Sequence, residues 1–253
     1  MPIAYLRHLT ASQRSQKANS HLAGYLAFTA GAVNAGGFLA VAQYTSHMSG
    51  IVSAMADHIA IGEFGLLLAG LGALLSFIGG AATSAILINW ARHRALRSEY
   101  TLPLVLEAAL LVCFGILGGS LQQHQWLFAP MTVSLLCFVM GLQNAMITKL
   151  SRAEIRTTHV TGMITDIGIE LGKLFYWNRQ HPDVAWQSVH ANRVRLRLLT
   201  VLVGLFFLGG LVGAVGFKHV GYISTLPLAA LLVGLAAVPM MDDLLPRLRR
   251  SGR

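Results

Sequence analysis

Two stretches of the chain carry the same kinds of polar residue in the same order: Thr45-Ser46-His47-Met48-Ser49-Gly50 and Thr157-Thr158-His159-Val160-Thr161-Gly162. Each opens a short apolar segment, at about 48–62 and 160–176, and follows a longer apolar segment that carries an Asn, Asn34 or Asn144. Such residues suit the start of a helix. Ser49 and Thr161 are expected to cap backbone N–H groups that have no intrahelical partner, and Gly50 and Gly162 allow another backbone or a solute to come close. Two opposed helix N-termini make a site for a polar or anionic solute. The same hydroxyls and glycines also serve simply to satisfy and pack a break in a helix, and the residue types alone do not separate the two readings. His47 and His159 titrate near neutral pH and suit hydrogen bonding to a substrate or carriage of a proton, or they stand in water at a segment entrance.

Further ionisable and amide groups lie within the apolar segments. On a helix, His159, Asp166 and Glu170 share one face, as do His47 and His58 in the first copy. Glu170 and Lys173 are expected to pair with each other near an interface, which leaves Asp166 as the acid for a solute path. Asn34 and Asn144 serve either as glue between helices or as ligand contacts. Glu107, four residues after Pro103, is expected about a turn inside its helix, where a carboxylate suits the helix dipole. No nucleophile elbow, phosphate loop or His-Glu zinc motif is present, and none of His47, His58, His159 and Asp166 shows paired i, i+4 ligand spacing. Enzyme activity is therefore not the expectation, and neither a metal nor a cofactor is implied. Cys113 and Cys137 lie in apolar runs without metal-type spacing and read as core filler.

These residues sit in a chain of 253 residues that is 55% hydrophobic and only 11% charged, which excludes an ordinary soluble domain. The apolar runs are continuous for about 20 residues, the pattern of membrane helices and not of alternating barrel strands. The fold class is therefore all-α, a polytopic helical membrane protein. Full spans are predicted at about 22–44, 65–90, 101–122, 131–149, 198–217 and 223–241. A cleaved signal peptide is not expected, because the run from Leu22 to Gln43 is too long and carries the first Asn. Residues 1–21 and 242–253 read as basic tails. A polar insertion with Pro182, Trp186, Arg193, Arg195 and Arg197 reads as an amphipathic surface piece. The net charge of +9 comes from Lys and Arg in short loops, so it reports topology and not nucleic-acid binding.

The halves, 22–121 and 131–241, repeat one another. Gly31 to Asn34 matches Gly141 to Asn144, Phe77 to Gly80 matches Phe207 to Gly210, and Thr101-Leu102-Pro103-Leu104 matches Thr225-Leu226-Pro227-Leu228. This predicts a duplication of about 110 residues. If both short segments only dip into the membrane, the termini and all Lys and Arg except Lys218 collect on the cytoplasmic side; if both span, the charges divide. Six spans and two re-entrant segments follow. Each half then crosses three times, so the repeats are inverted and the two motifs approach the midplane from opposite faces.

Gly31 to Asn34 with Ser46-His47-Met48-Ser49-Gly50, and Gly141 to Ala145 with Thr158-His159-Val160-Thr161-Gly162, resemble the YoaK family of bacterial inner-membrane proteins over about residues 20–241. The resemblance implies an inner-membrane, multi-pass protein and supplies no activity. It differs at Asn34, where the family usually carries Asp, and at Ile51 and Met163, where it often carries Asn. If that Asp carries protons in relatives, Asn34 does not do so here. The expected function is a transporter or channel for a small polar or anionic solute, contacted by Asn34, Ser46, His47, Ser49, Gly50, Asn144, Thr158, His159, Thr161, Gly162 and Asp166. The alternative is a membrane scaffold or lipid-binding protein. Expected partners are membrane lipid, the solute and a second copy of the chain, with no nucleic acid. Transport requires a polar cavity at the midplane reached by both short segments, whereas a scaffold requires a closed contact there.

Overall fold

A computed structural model describes residues 16–96, 98–121, 125–150, 160–176 and 189–251. Its elements are α1 (Gln16–Val41), α2 (Met48–Ala60), α3 (Phe64–His93), α4 (Thr101–Leu121), α5 (Gln125–Leu150), α6 (Val160–Phe175), α7 (Arg193–His219), a 3-10 turn at Gly221–Ser224, and α8 (Thr225–Ser251). Six of these segments are long and apolar enough to cross a membrane. The chain is therefore an all-α, polytopic membrane protein. Pro103 and Pro227 fall in the first turns of α4 and α8, where a missing N–H costs nothing.

Several boundaries differ from the sequence reading. The Arg193, Arg195 and Arg197 series does not form a separate surface piece; it opens α7, because Asn192 caps that helix by accepting from the Arg195 backbone N–H at 3.0 Å. Residues 177–188, with Pro182 and Trp186, lie outside the described residues. So do Ile3, Leu6 and Leu9, read as a short interfacial helix. The basic segments at the two ends are partly helical, since α1 begins at Gln16 and α8 continues to Ser251.

The core is built on α1 and α5. Within the most apolar stretch of each, 61% and 56% of residues are buried, against 11% for α3 and 22% for α7. The first pair therefore forms the centre, and the second pair presents its apolar surface outward to lipid. α1 and α5 run antiparallel and are tied by amides: Gln143 donates to the Leu26 carbonyl at 3.1 Å, and Asn19 to the Leu150 carbonyl at 3.4 Å. α7 packs parallel to α1, and α3 parallel to α5.

Both of these parallel pairs use the same contact. A Cβ on Gly31 would fall on the Phe206 carbonyl oxygen and one on Gly209 on that of Phe28. In the other pair, a Cβ on Gly141 would fall on the Phe77 carbonyl oxygen and one on Gly80 on that of Phe138. Backbones this close exclude any side chain at the crossing, which is the role of small residues between membrane helices. The contact sets the register one residue away from the sequence matching: Phe77 and Gly80 occupy the places of Phe206 and Gly209, not those of Phe207 and Gly210. α4 and α8 run antiparallel at the side of the bundle, where Thr225 meets Gly115 and Tyr222 meets Gly118. Phe114, Phe217 and Tyr222 form an aromatic cluster there, with centroids 5.7–6.2 Å apart.

α2 has 13 residues and α6 has 16. At about 1.5 Å per residue neither reaches across a hydrocarbon layer of about 30 Å. α2 lies antiparallel to the first half of α3, with Met55 against Gly70 and Ile51 clustered with Ala73. α6 lies antiparallel to the first half of α7, with Asp166 bonded to Arg195 and Glu170 to the Asn192 backbone. Each short helix therefore starts about halfway along its long neighbour and runs away from the other.

Candidate functional site

The starts of α2 and α6 open into one cavity of about 1050 Å³. Ser46, His47, Met48 and Ser49 line it from the first copy of the motif, and Val160 and Thr161 from the second. Asn34 from α1 and Asn144 from α5 line it as well, with Phe77 from α3 and Phe206 from α7. Thus six residues singled out in the sequence, Asn34, Ser46, His47, Ser49, Asn144 and Thr161, meet at one place although about 95 residues or more separate the two groups.

The local bonds differ from the expected ones. Ser49 does not cap α2, because the helix begins one residue earlier, at Met48, and His47 takes the capping position without a side-chain hydrogen bond to the first turn. The Ser49 hydroxyl instead meets His47 Nε2 at 3.1 Å. Gly50 has a specific reason: the His47 ring folds back over the first turn, and a Cβ at position 50 would collide with Nδ1. Thr161 is the second residue of α6, which does not place it at the cap, and its backbone carbonyl accepts from the Thr165 hydroxyl at 2.9 Å. Ser46 donates to Asn34 Oδ1 at 2.9 Å, which pins the loop before α2 to the interior of α1. Asn34 is therefore a tether, Asn144 faces the cavity, and the glue between α1 and α5 is the adjacent Gln143.

Other candidates lie elsewhere. Gly50 borders a second cavity of about 750 Å³ between α2, α3 and α5, and His47 and His58 both line it, so they do share a face. Gly162 is half-buried in α6 and lines neither cavity. Thr158 and His159 lie outside the described residues. Asp166, expected on the solute path, is not among the residues lining the large cavity; it faces outward from α6 to Arg195 at 2.9 Å. Glu170 pairs with Lys173 at 2.9 Å as expected and also accepts from the Asn192 backbone N–H at 2.7 Å. These two hydrogen bonds, that of Lys173 first, hold its carboxyl below the usual carboxylate range. Glu107 is the seventh residue of α4, somewhat more than a turn inside it as expected, but it is completely buried and neither carboxyl oxygen has a hydrogen-bond partner among the described residues.

Several cavity residues escaped the sequence reading, Lys149, Phe77 and Phe206 among them. Lys149 looked like part of a basic loop, yet α5 continues to Leu150 and carries Asn144, Ala145, Thr148 and Lys149 along one face into the cavity. That i, i+1, i+4, i+5 spacing was the available signal. Phe77 entered only as the first residue of a repeated segment, and Phe206 lay one position outside the matched copy.

Six long apolar helices, with a cavity lined by four of them and by the starts of two half-length helices, define a polytopic membrane protein. The chain belongs to the family described as a protein of unknown function, DUF1275, which matches residues 22–238 and so takes in every described cavity-lining residue. No curated protein and no solved structure matches the chain.

Proposed function

We propose that the protein is a transporter or channel for a small polar or anionic solute, which occupies the cavity between the starts of α2 and α6. The observation that carries this reading is the meeting of both half-helix starts with Asn34 and Asn144 in one open space, where a scaffold requires a closed contact. No side chain caps the first turn of α2, so its N–H groups are available to a solute, and the positive ends of both helices favour negative charge. The twofold recurrence of the glycine contact supports two inverted repeats, α1–α4 and α5–α8, and such repeats place a solute site at their interface. The charge distribution supports cytoplasmic termini, and the YoaK resemblance supports the bacterial inner membrane.

The test is accessibility. In a Cys113→Ala, Cys137→Ala background, single cysteines replacing Ser46, Asn144 and Thr161 should react with a small charged thiol reagent in inverted or right-side-out vesicles. A cysteine replacing the buried Ala30 should not. Failure of all three cavity positions to react from either side would favour the scaffold.

A further inference from the structure

Among the described residues, Lys149 is a positive charge with no carboxylate in direct contact. Its ammonium donates to Asn89 Oδ1 at 2.8 Å and to the Ala85 carbonyl at 3.4 Å, both neutral acceptors, and an ammonium has three N–H groups to place. The nearby carboxylate, Glu99, is already held by Arg92 at 2.7 Å, so that pair adds no net charge. Among the described residues, no Asp or Glu lines the cavity. A partly buried cation facing a cavity with largely apolar walls favours an anion in that cavity over a cation. The arrangement therefore discriminates by sign, and against cations most strongly of all.

Two further features narrow the class. Lys149 is the one Lys or Arg lining the cavity among the described residues, so the side chains there offer a single full positive charge, which one carboxylate matches. The walls are largely apolar, with Phe77 and Phe206 on the two long outer helices, and the volume admits an organic molecule larger than a halide. We propose that the cavity binds an organic monocarboxylate, its carboxylate on Lys149 and its apolar body toward Phe77 and Phe206. Asn89 is a positioning residue that holds the ammonium in place. This inference rests on the reading of the cavity as a solute site, and it adds the class of solute.

Benzoate is a suitable probe, with benzamide as its uncharged counterpart. With the full chain in phosphatidylcholine nanodiscs, equilibrium dialysis should show benzoate binding, with benzamide at least about tenfold weaker. Lys149→Gln should weaken benzoate by at least about tenfold, while Lys149→Arg, which keeps the charge, should stay within about threefold. Sulfate and chloride at equal concentration should not displace it. The proposal is overturned if wild type binds no benzoate, if benzamide binds equally well, if sulfate or chloride displaces benzoate, or if Lys149→Gln retains full affinity in protein with an unchanged size-exclusion profile. Should any of these occur while the cysteines at 46, 144 and 161 still react, the class is wrong and the solute site stands. Should those cysteines stay unreactive, the site itself fails.

Discussion

At Gly50 a single hydrogen decides how the first half-helix begins. The His47 ring lies over the first turn of α2 and bonds Ser49, so a methyl at position 50 must push the imidazole out of the cavity wall. Gly50→Ala is expected to cost up to about 1 kcal/mol, because the exposed His47 ring can turn aside at the loss of its bond to Ser49. Gly168→Ala in α6 meets nothing within 4 Å and should be neutral or stabilising by up to about 1 kcal/mol, since alanine favours helix. Thermal melts in detergent compare the two; equal effects would remove the His47 contact as the reason for Gly50. Asp166 illustrates the opposite situation. Its carboxylate faces Arg195 with more than a third of the side chain exposed, so Asp166→Asn should cost less than about 1 kcal/mol and leave the reactivity of a cysteine at Thr161 unchanged. A clear loss of that reactivity would return Asp166 to the solute path. The repeated motif drew attention to Ser46, His47, Ser49 and Thr161, which line the cavity, but not to their bonds, because hydroxyl, His and Gly before an apolar run suit a packed helix break as well as a solute site. Lys149 was not legible, because a lysine at the end of an apolar run also looks like a topology signal.

At the scale of elements, two helix pairs are held by glycines that leave no room for a side chain. The test of register lies in adjacent residues of α7. A Cβ on Gly209 would strike the Phe28 carbonyl, whereas one on Gly210 would find its nearest atom, the Gly31 carbonyl oxygen, at an ordinary 3.7 Å. Gly209→Ala should therefore destabilise by about 1–3 kcal/mol and Gly210→Ala by much less, as read by melting temperature. The reverse order would restore the pairing expected from the sequence. That pairing slipped for an identifiable reason. Phe206-Phe207, Gly79-Gly80 and Gly209-Gly210 are doublets, so two alignments one residue apart match almost equally well, and only the side that faces α1 separates them. Span positions were legible because hydropathy reports lipid contact directly. The start of α7 was not, because its arginines alternate with apolar residues as a surface helix would, and the capping bond from Asn192 is a local contact that composition does not report.

At the scale of the whole molecule, everything depends on α2 and α6 turning back. In the proposed topology the six long helices put both ends of the chain on one side, which the charge distribution favours as the cytoplasmic one. Two positions that flank α2 discriminate sharply. If α2 starts at midlevel and returns, Gln43 and Glu63 lie on the same outer face; if it spans, they lie on opposite faces. Both residues are exposed at loop positions, so a cysteine at either should not disturb packing. In intact cells a membrane-impermeant thiol reagent should label cysteines at both 43 and 63 and should miss one at Arg94, in the turn after α3. Labelling at 43 with protection at 63, together with external labelling at 94, would mean that α2 crosses the membrane. The half-helix starts would then no longer face each other, and the shared cavity, the inverted repeats and the role assigned to Lys149 would all fall with that one segment.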